Sequence, residues 1–223
     1  MSASETQRTD LLLRCSSGIC ASLSLAALVA HVLGVLRLDF FLTFFGIPSL
    51  LLLFSLAAWA KRIRATTFLT SLRVGLVGGL LATLAYDLVR FLIGLTHLFQ
   101  YNGFVAIYIF GSWITGKSVT TTAAAVAGWI YHFWNGLSFG VMYVLALPRR
   151  HWLYGVGYGM VIEAMMLGLF PLFLRITNKR DFIIISMFGH MVYGAVLGGF
   201  AERSFAKLGR LSWRPEGIQT KSR

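Results

Sequence analysis

Apolar residues run along this chain in long blocks, not in the spaced stripe of a surface helix or the alternation of a half-buried strand. A helix that crosses a bilayer needs about 20 predominantly apolar residues at about 1.5 Å rise each. Six blocks meet that length: residues 12–36, 39–60, 72–98, 119–147, 151–175 and 182–203. Pro48 falls inside the second, where a spanning helix tolerates it and can kink. A further apolar piece, 104–114, is too short to span and is bounded by Gly103 and Gly116. It reads as a re-entrant or interfacial helix, or as a loop on the outer face. The pattern predicts an all-α integral membrane bundle of about six transmembrane helices.

Composition agrees. Of 223 residues, 57% are hydrophobic and 13% charged, against nearly half and a quarter in soluble domains; the mean hydropathy is +0.73. One water-soluble core could not hold that much apolar surface, so the lipid bilayer is the expected solvent and a multi-pass protein of a bacterial inner membrane the expected location. Residues 1–10 mix Arg8 with Glu5 and Asp10, and the block behind them is too long for a signal peptide, so it counts as the first span.

The net charge of +12, from 20 Lys+Arg against 8 Asp+Glu, would suggest nucleic acid in a soluble protein. Here the basic residues lie between apolar blocks. Lys61, Arg62 and Arg64, then Arg149 and Arg150, then a basic run from Arg203 to Arg223 share one side of a six-span chain. Arg37, Lys117, Lys179 and Arg180 fall on the other. That bias places both termini in the cytoplasm, predicts contact with anionic lipid headgroups there, and leaves no soluble domain for nucleic acid. The chain divides into residues 1–68 (two helices and a basic loop), 69–203 (a four-helix core) and 204–223 (a basic tail). Cys15 and Cys20 have neither disulfide nor metal-ligand spacing. Trp129, Trp134, Trp152 and Tyr154 read as aromatic anchors at span ends or on lipid faces.

Two spans share the pattern H-x3-G-x3-G: His132, Gly136 and Gly140 in the fourth, and His190, Gly194 and Gly198 in the sixth. Residues i, i+4 and i+8 share a helix face, so each histidine heads a stripe of close-packing glycines. The preceding spans carry Gly75 and Gly79, and Gly155 and Gly159. The last four spans therefore read as two helix pairs of one repeat, a symmetry common in transporters.

Ionisable residues inside a bilayer are costly and normally face the bundle interior. Asp87 and Arg90 in the third span pair at i, i+3. His132 and Asn135 lie in the fourth, Glu163 in the fifth and His190 in the sixth. Counting helical rise from the cytoplasmic ends puts Asp87, His132, Glu163 and His190 in one layer, roughly 18–22 Å up. These six polar residues are the candidate ligand- or ion-binding set. No phosphate loop, dinucleotide fingerprint, nucleophile elbow or H-E-x-x-H motif occurs, so no residue is assigned a catalytic role and the chain reads as non-enzymatic.

The segments 79–90, 131–143 and 189–200 resemble signatures of an uncharacterised family of bacterial polytopic membrane proteins, a domain of unknown function. The resemblance covers about residues 73–202. It implies a four-helix core and no particular activity.

Three functions fit these residues. The first is a non-enzymatic membrane subunit or scaffold that binds other membrane subunits around a buried polar cluster. The second is a small proton-coupled transporter with the polar layer as its site. The third is a haem b-binding electron-transfer subunit with His132 and His190 as axial ligands. A lipid-modifying enzyme is a remaining possibility.

Overall fold

The computed structural model describes residues 3–173 and 179–212. Every regular element among them is helical: α1 (Ala3–Val32), α2 (Leu38–Arg62), α3 (Thr66–Leu95), α4 (Val105–Thr115), α5 (Thr122–Ala146), α6 (Leu153–Phe173) and α7 (Lys179–Ser212). Four of these seven, α1, α2, α3 and α7, are long and apolar enough to cross a membrane. The fourth and fifth apolar blocks also form helices, of 25 and 21 residues. The last residues of the fifth block, and the tail beyond Ser212, lie outside the described residues.

Helix limits differ from the apolar blocks where polar chemistry sets them. α1 starts well before residue 12, because polar turns can stay helical in water: Asp10 accepts a 2.6 Å bond from Arg14, which also donates to Ser71 of α3 at 3.2 Å. It stops at Val32, where Gly34 takes a φ of +71° and His31 Nδ1 accepts a bond from Leu38 N at 3.2 Å. α2 contains a wide π turn over Leu42–Gly46. Pro48 lacks the N–H that would close the preceding helical turn, and the wide turn sits at that weakened point. α7 continues past residue 203, so the first part of the expected tail is helix.

Two sequence expectations change. Trp134 is no free anchor: partly buried, it packs against an inner cluster that holds Phe110 and Tyr131, and a Cβ added to Gly46 would lie 2.9 Å from its ring. The short piece 104–114 is neither a loop nor a free interfacial helix. It is α4, ended by Gly116 at φ +67° and seated on the first half of α5, where Gly111 meets the Ala124 carbonyl and Gly128 the Ile107 carbonyl.

The core is built from close glycine crossings. On α3 and α5, a Cβ at Gly79 would lie 2.7 Å from the Gly136 carbonyl oxygen, and one at Gly75 would lie 2.8 Å from Val141 Cα. On α6 and α7, a Cβ at Gly155 would lie 2.7 Å from Gly198 Cα, and Gly159 abuts the His190 carbonyl. The glycines paired by sequence pattern thus occupy matching places in two helix pairs. α3 also packs on α7, joining the pairs, and Tyr193 of α7 donates to the Gly136 carbonyl at 2.7 Å. Leu13 and Ala21 of α1 share a cluster with Leu72, Val141 and Leu145.

Tyr131, fully buried, donates to the Ser24 carbonyl of α1 at 2.8 Å. Tyr131→Phe keeps the packing and removes that bond, so it should cost about 1 kcal/mol. The check is the thermal midpoint in mild detergent; an unchanged midpoint would mean α1 is held by packing alone.

Candidate functional site

The seams bring α3, α5, α6 and α7 together so that their polar residues meet. Asp87 of α3 faces His132 of α5, whose Nε2 lies 3.0 Å from both carboxylate oxygens. Glu163 of α6 faces His190 of α7, with Nδ1 2.8 Å from Oε2. Each helix pair thus carries one carboxylate–imidazole bridge. The two are alike in chemistry but use opposite ring nitrogens.

The neighbours of those nitrogens place the protons. His190 Nδ1 also lies 2.9 Å from the Ser186 carbonyl, which only accepts, so Nδ1 carries the hydrogen. His132 Nε2, between two carboxylate oxygens, is the donor by the same reasoning. That leaves His132 Nδ1 and His190 Nε2 without a protein hydrogen-bond partner among the described residues, each with a lone pair that can take a proton. Ser186 supports the second bridge by donating to Glu163 Oε2 at 2.6 Å. Glu163 is 1% exposed, and its other oxygen, Oε1, is buried without a hydrogen-bond partner among the described residues.

Arg90 completes the first bridge at i, i+3, donating to Asp87 Oδ1 at 3.3 Å. Its guanidinium lies 4.6 Å from the centre of the Tyr86 ring and 4.5 Å from that of Phe104. Tyr86 links the whole set: its ring is 6.1 Å from His132 and 4.9 Å from His190. Asn135 donates to the Tyr131 carbonyl at 3.1 Å, and its own oxygen is buried without a partner among the described residues.

Several of these groups border a cavity of about 120 Å³ between α1, α3, α4, α5, α6 and α7. Arg90, His132, Asn135, Ser186 and His190 line it, with Thr83, Tyr86 and Tyr193; the remaining wall is largely apolar, including Leu28, Phe110, Ile162 and Phe182. Tyr101, from the loop between α3 and α4, also reaches it. Burial pushes the Tyr101 hydroxyl up to about 12, so it stays a neutral donor. An apolar cavity of about 150 Å³ takes up benzene, so this one suits a molecule of only a few heavy atoms.

Compared with protein-family models, with curated proteins and with solved structures, the chain matches none.

The six candidate polar residues lie in one neighbourhood, five of them paired as described and Asn135 on the cavity wall. The glycines Gly136, Gly140, Gly194 and Gly198 lie in the seams, and Gly136 also reaches the cavity. Sequence reasoning missed Tyr86, Tyr101, Thr83 and Ser186. Only Ser186 left a usable trace, a small hydroxyl one turn before His190 in an apolar block.

The geometry does not fit haem ligation by His132 and His190. Both imidazoles are turned to carboxylates, the Tyr86 ring stands close to both, and a space smaller than one that takes benzene has no room for a macrocycle. Among the described residues no three His, Cys, Asp or Glu side chains group as a metal site.

Proposed function

We propose that this protein is a small multi-pass carrier with six spans and both termini in the cytoplasm, which binds a small solute in the central cavity and moves protons with it. The observation that carries the reading is the pair of carboxylate–imidazole bridges beside one cavity. A histidine backed by a carboxylate and holding a free lone pair can be protonated without leaving a bare charge in hydrocarbon. A purely structural bridge needs no solute-sized space beside it. In this reading α5 and α6 are the fourth and fifth spans. The polar content of α5 is tolerated because its polar side chains turn to neighbouring helices and the cavity.

The test is proton entry into vesicles holding the protein and a pH-sensitive dye. A potassium gradient with valinomycin drives entry, and lactate, glycine or ethylamine is offered outside. Protein-dependent acidification with one of these solutes is expected, falling at least about tenfold in Asp87→Asn/Glu163→Gln, because each pair then lacks its charged partner. Equal flux in both proteins would remove the carrier reading.

A second reading, a subunit of a larger membrane complex, is supported by α2. It is the least buried of the four long apolar helices and exposes Phe40, Phe44, Phe54 and Trp59, a surface that suits a neighbouring membrane helix as well as lipid. Extraction in mild detergent would then recover a fixed partner. A solitary, monodisperse chain would count against it.

A further inference from the structure

Taking the cavity as a solute site, we infer that its ligand is a small organic anion, a carboxylate on a compact apolar body, received by Arg90. The inference rests on the proposed reading of the cavity and adds the class of ligand.

Charge comes first. Asp87 and Glu163 stand behind the histidines and do not line the cavity, and no other carboxylate does among the described residues. Arg90 is the permanently charged group on the wall. A cationic ligand would meet an arginine and two imidazoles with no anion in reach. An anion would meet a guanidinium directly and, behind the imidazoles, groups able to take up protons.

Arg90 is also under-used. A guanidinium has five N–H donors in one plane. Arg90 is 6% exposed, yet among the described residues it makes one hydrogen bond, the 3.3 Å contact to Asp87. Asp87 is itself committed to His132 through both oxygens. Tyr86 and Phe104 stack on the guanidinium and fix its plane, which leaves the in-plane edge for a ligand. A planar, two-oxygen acceptor matches that edge through paired N–H···O bonds.

Size and access agree. The cavity of about 120 Å³ and its largely apolar wall suit a short alkyl chain beyond the carboxylate. A second cavity, beneath the loop of residues 96–104, shares Arg90, Tyr101, Gly103 and Ile185 with the first. Arg90 therefore stands where the two spaces meet. Gly103 keeps the loop close: a Cβ there would lie 3.2 Å from Arg90 Nε. The loop is tied to α7 by the Gln100 N–H, which donates to Asp181 at 2.7 Å. An anion entering past the loop meets the arginine first.

Three probes of similar size separate the possibilities. Propionate, propanol and propylamine, each smaller than benzene, are titrated against the full-length protein in lipid nanodiscs at neutral pH, with tryptophan fluorescence and calorimetry as readouts. Propionate is expected to bind saturably and at least about tenfold more tightly than propanol, from the charge-assisted pair, with propylamine weakest. Arg90→Gln should remove the preference for propionate and keep propanol binding. If that variant does not fold, the wild-type ranking decides alone. Propanol or propylamine binding as tightly as propionate overturns the anion assignment and leaves the cavity a solute site. Saturable binding of none of the three overturns the solute site itself, and the anion with it.

Discussion

Gly155→Ala should cost about 1–3 kcal/mol, while Gly157→Ala, two residues along the same helix, should be neutral or gain a few tenths. The difference lies in what a methyl group meets. At Gly155 it would come within 2.7 Å of Gly198 Cα and against the Gly194 carbonyl. Both are backbone, so relief requires α6 and α7 to move apart. At Gly157 a Cβ meets nothing within 4 Å. The two proteins are compared by thermal unfolding in the same detergent. Equal midpoints would mean that the seam is looser than these contacts imply.

Asp87→Ala should destabilise more, by about 3 kcal/mol or beyond. The carboxylate holds two donors, Arg90 and His132, and its removal leaves a buried guanidinium with only aromatic rings for company. The informative comparison is Asp87→Ala/Arg90→Met. With the charge gone too, a flexible apolar chain can fill the place beside Tyr86, and much of the lost stability should return. A double variant no more stable than Asp87→Ala would show that the aspartate matters through His132 instead of Arg90.

Much of this architecture was legible from the chain. Long apolar blocks locate helices because hydrocarbon demands them, and spaced glycines announce close contact because nothing else permits it. The Asp87–Arg90 pair could be read directly, since i, i+3 places both on one face. Depth placed His132, Glu163 and His190 at a common level. Their partners were not legible: depth says nothing of helix rotation, so the matches of Asp87 with His132 and of Glu163 with His190 needed the folded bundle. Tyr86 was hidden for another reason: a hydroxyl in an apolar block carries little penalty, so only the i, i+4 spacing of Ser186 to His190 left a trace. Trp134 misled because tryptophan is usual at interfaces, and the glycine that gives it an interior seat lies on a different helix. The limits of α1 escaped because hydropathy reports lipid contact, not helicity.

The two glycine seams lie toward the ends of the helices where α5 passes into α6, and there the Trp152 N–H also bonds to Glu202 at 2.9 Å. Each histidine heads its seam, and the cavity lies beside them. Opening either seam means separating backbones already in contact, which no change of side-chain rotamer can do. Any rearrangement there is a rigid-body shift of one whole helix against its neighbour, and the carboxylate–imidazole bridge of that pair is strained with it.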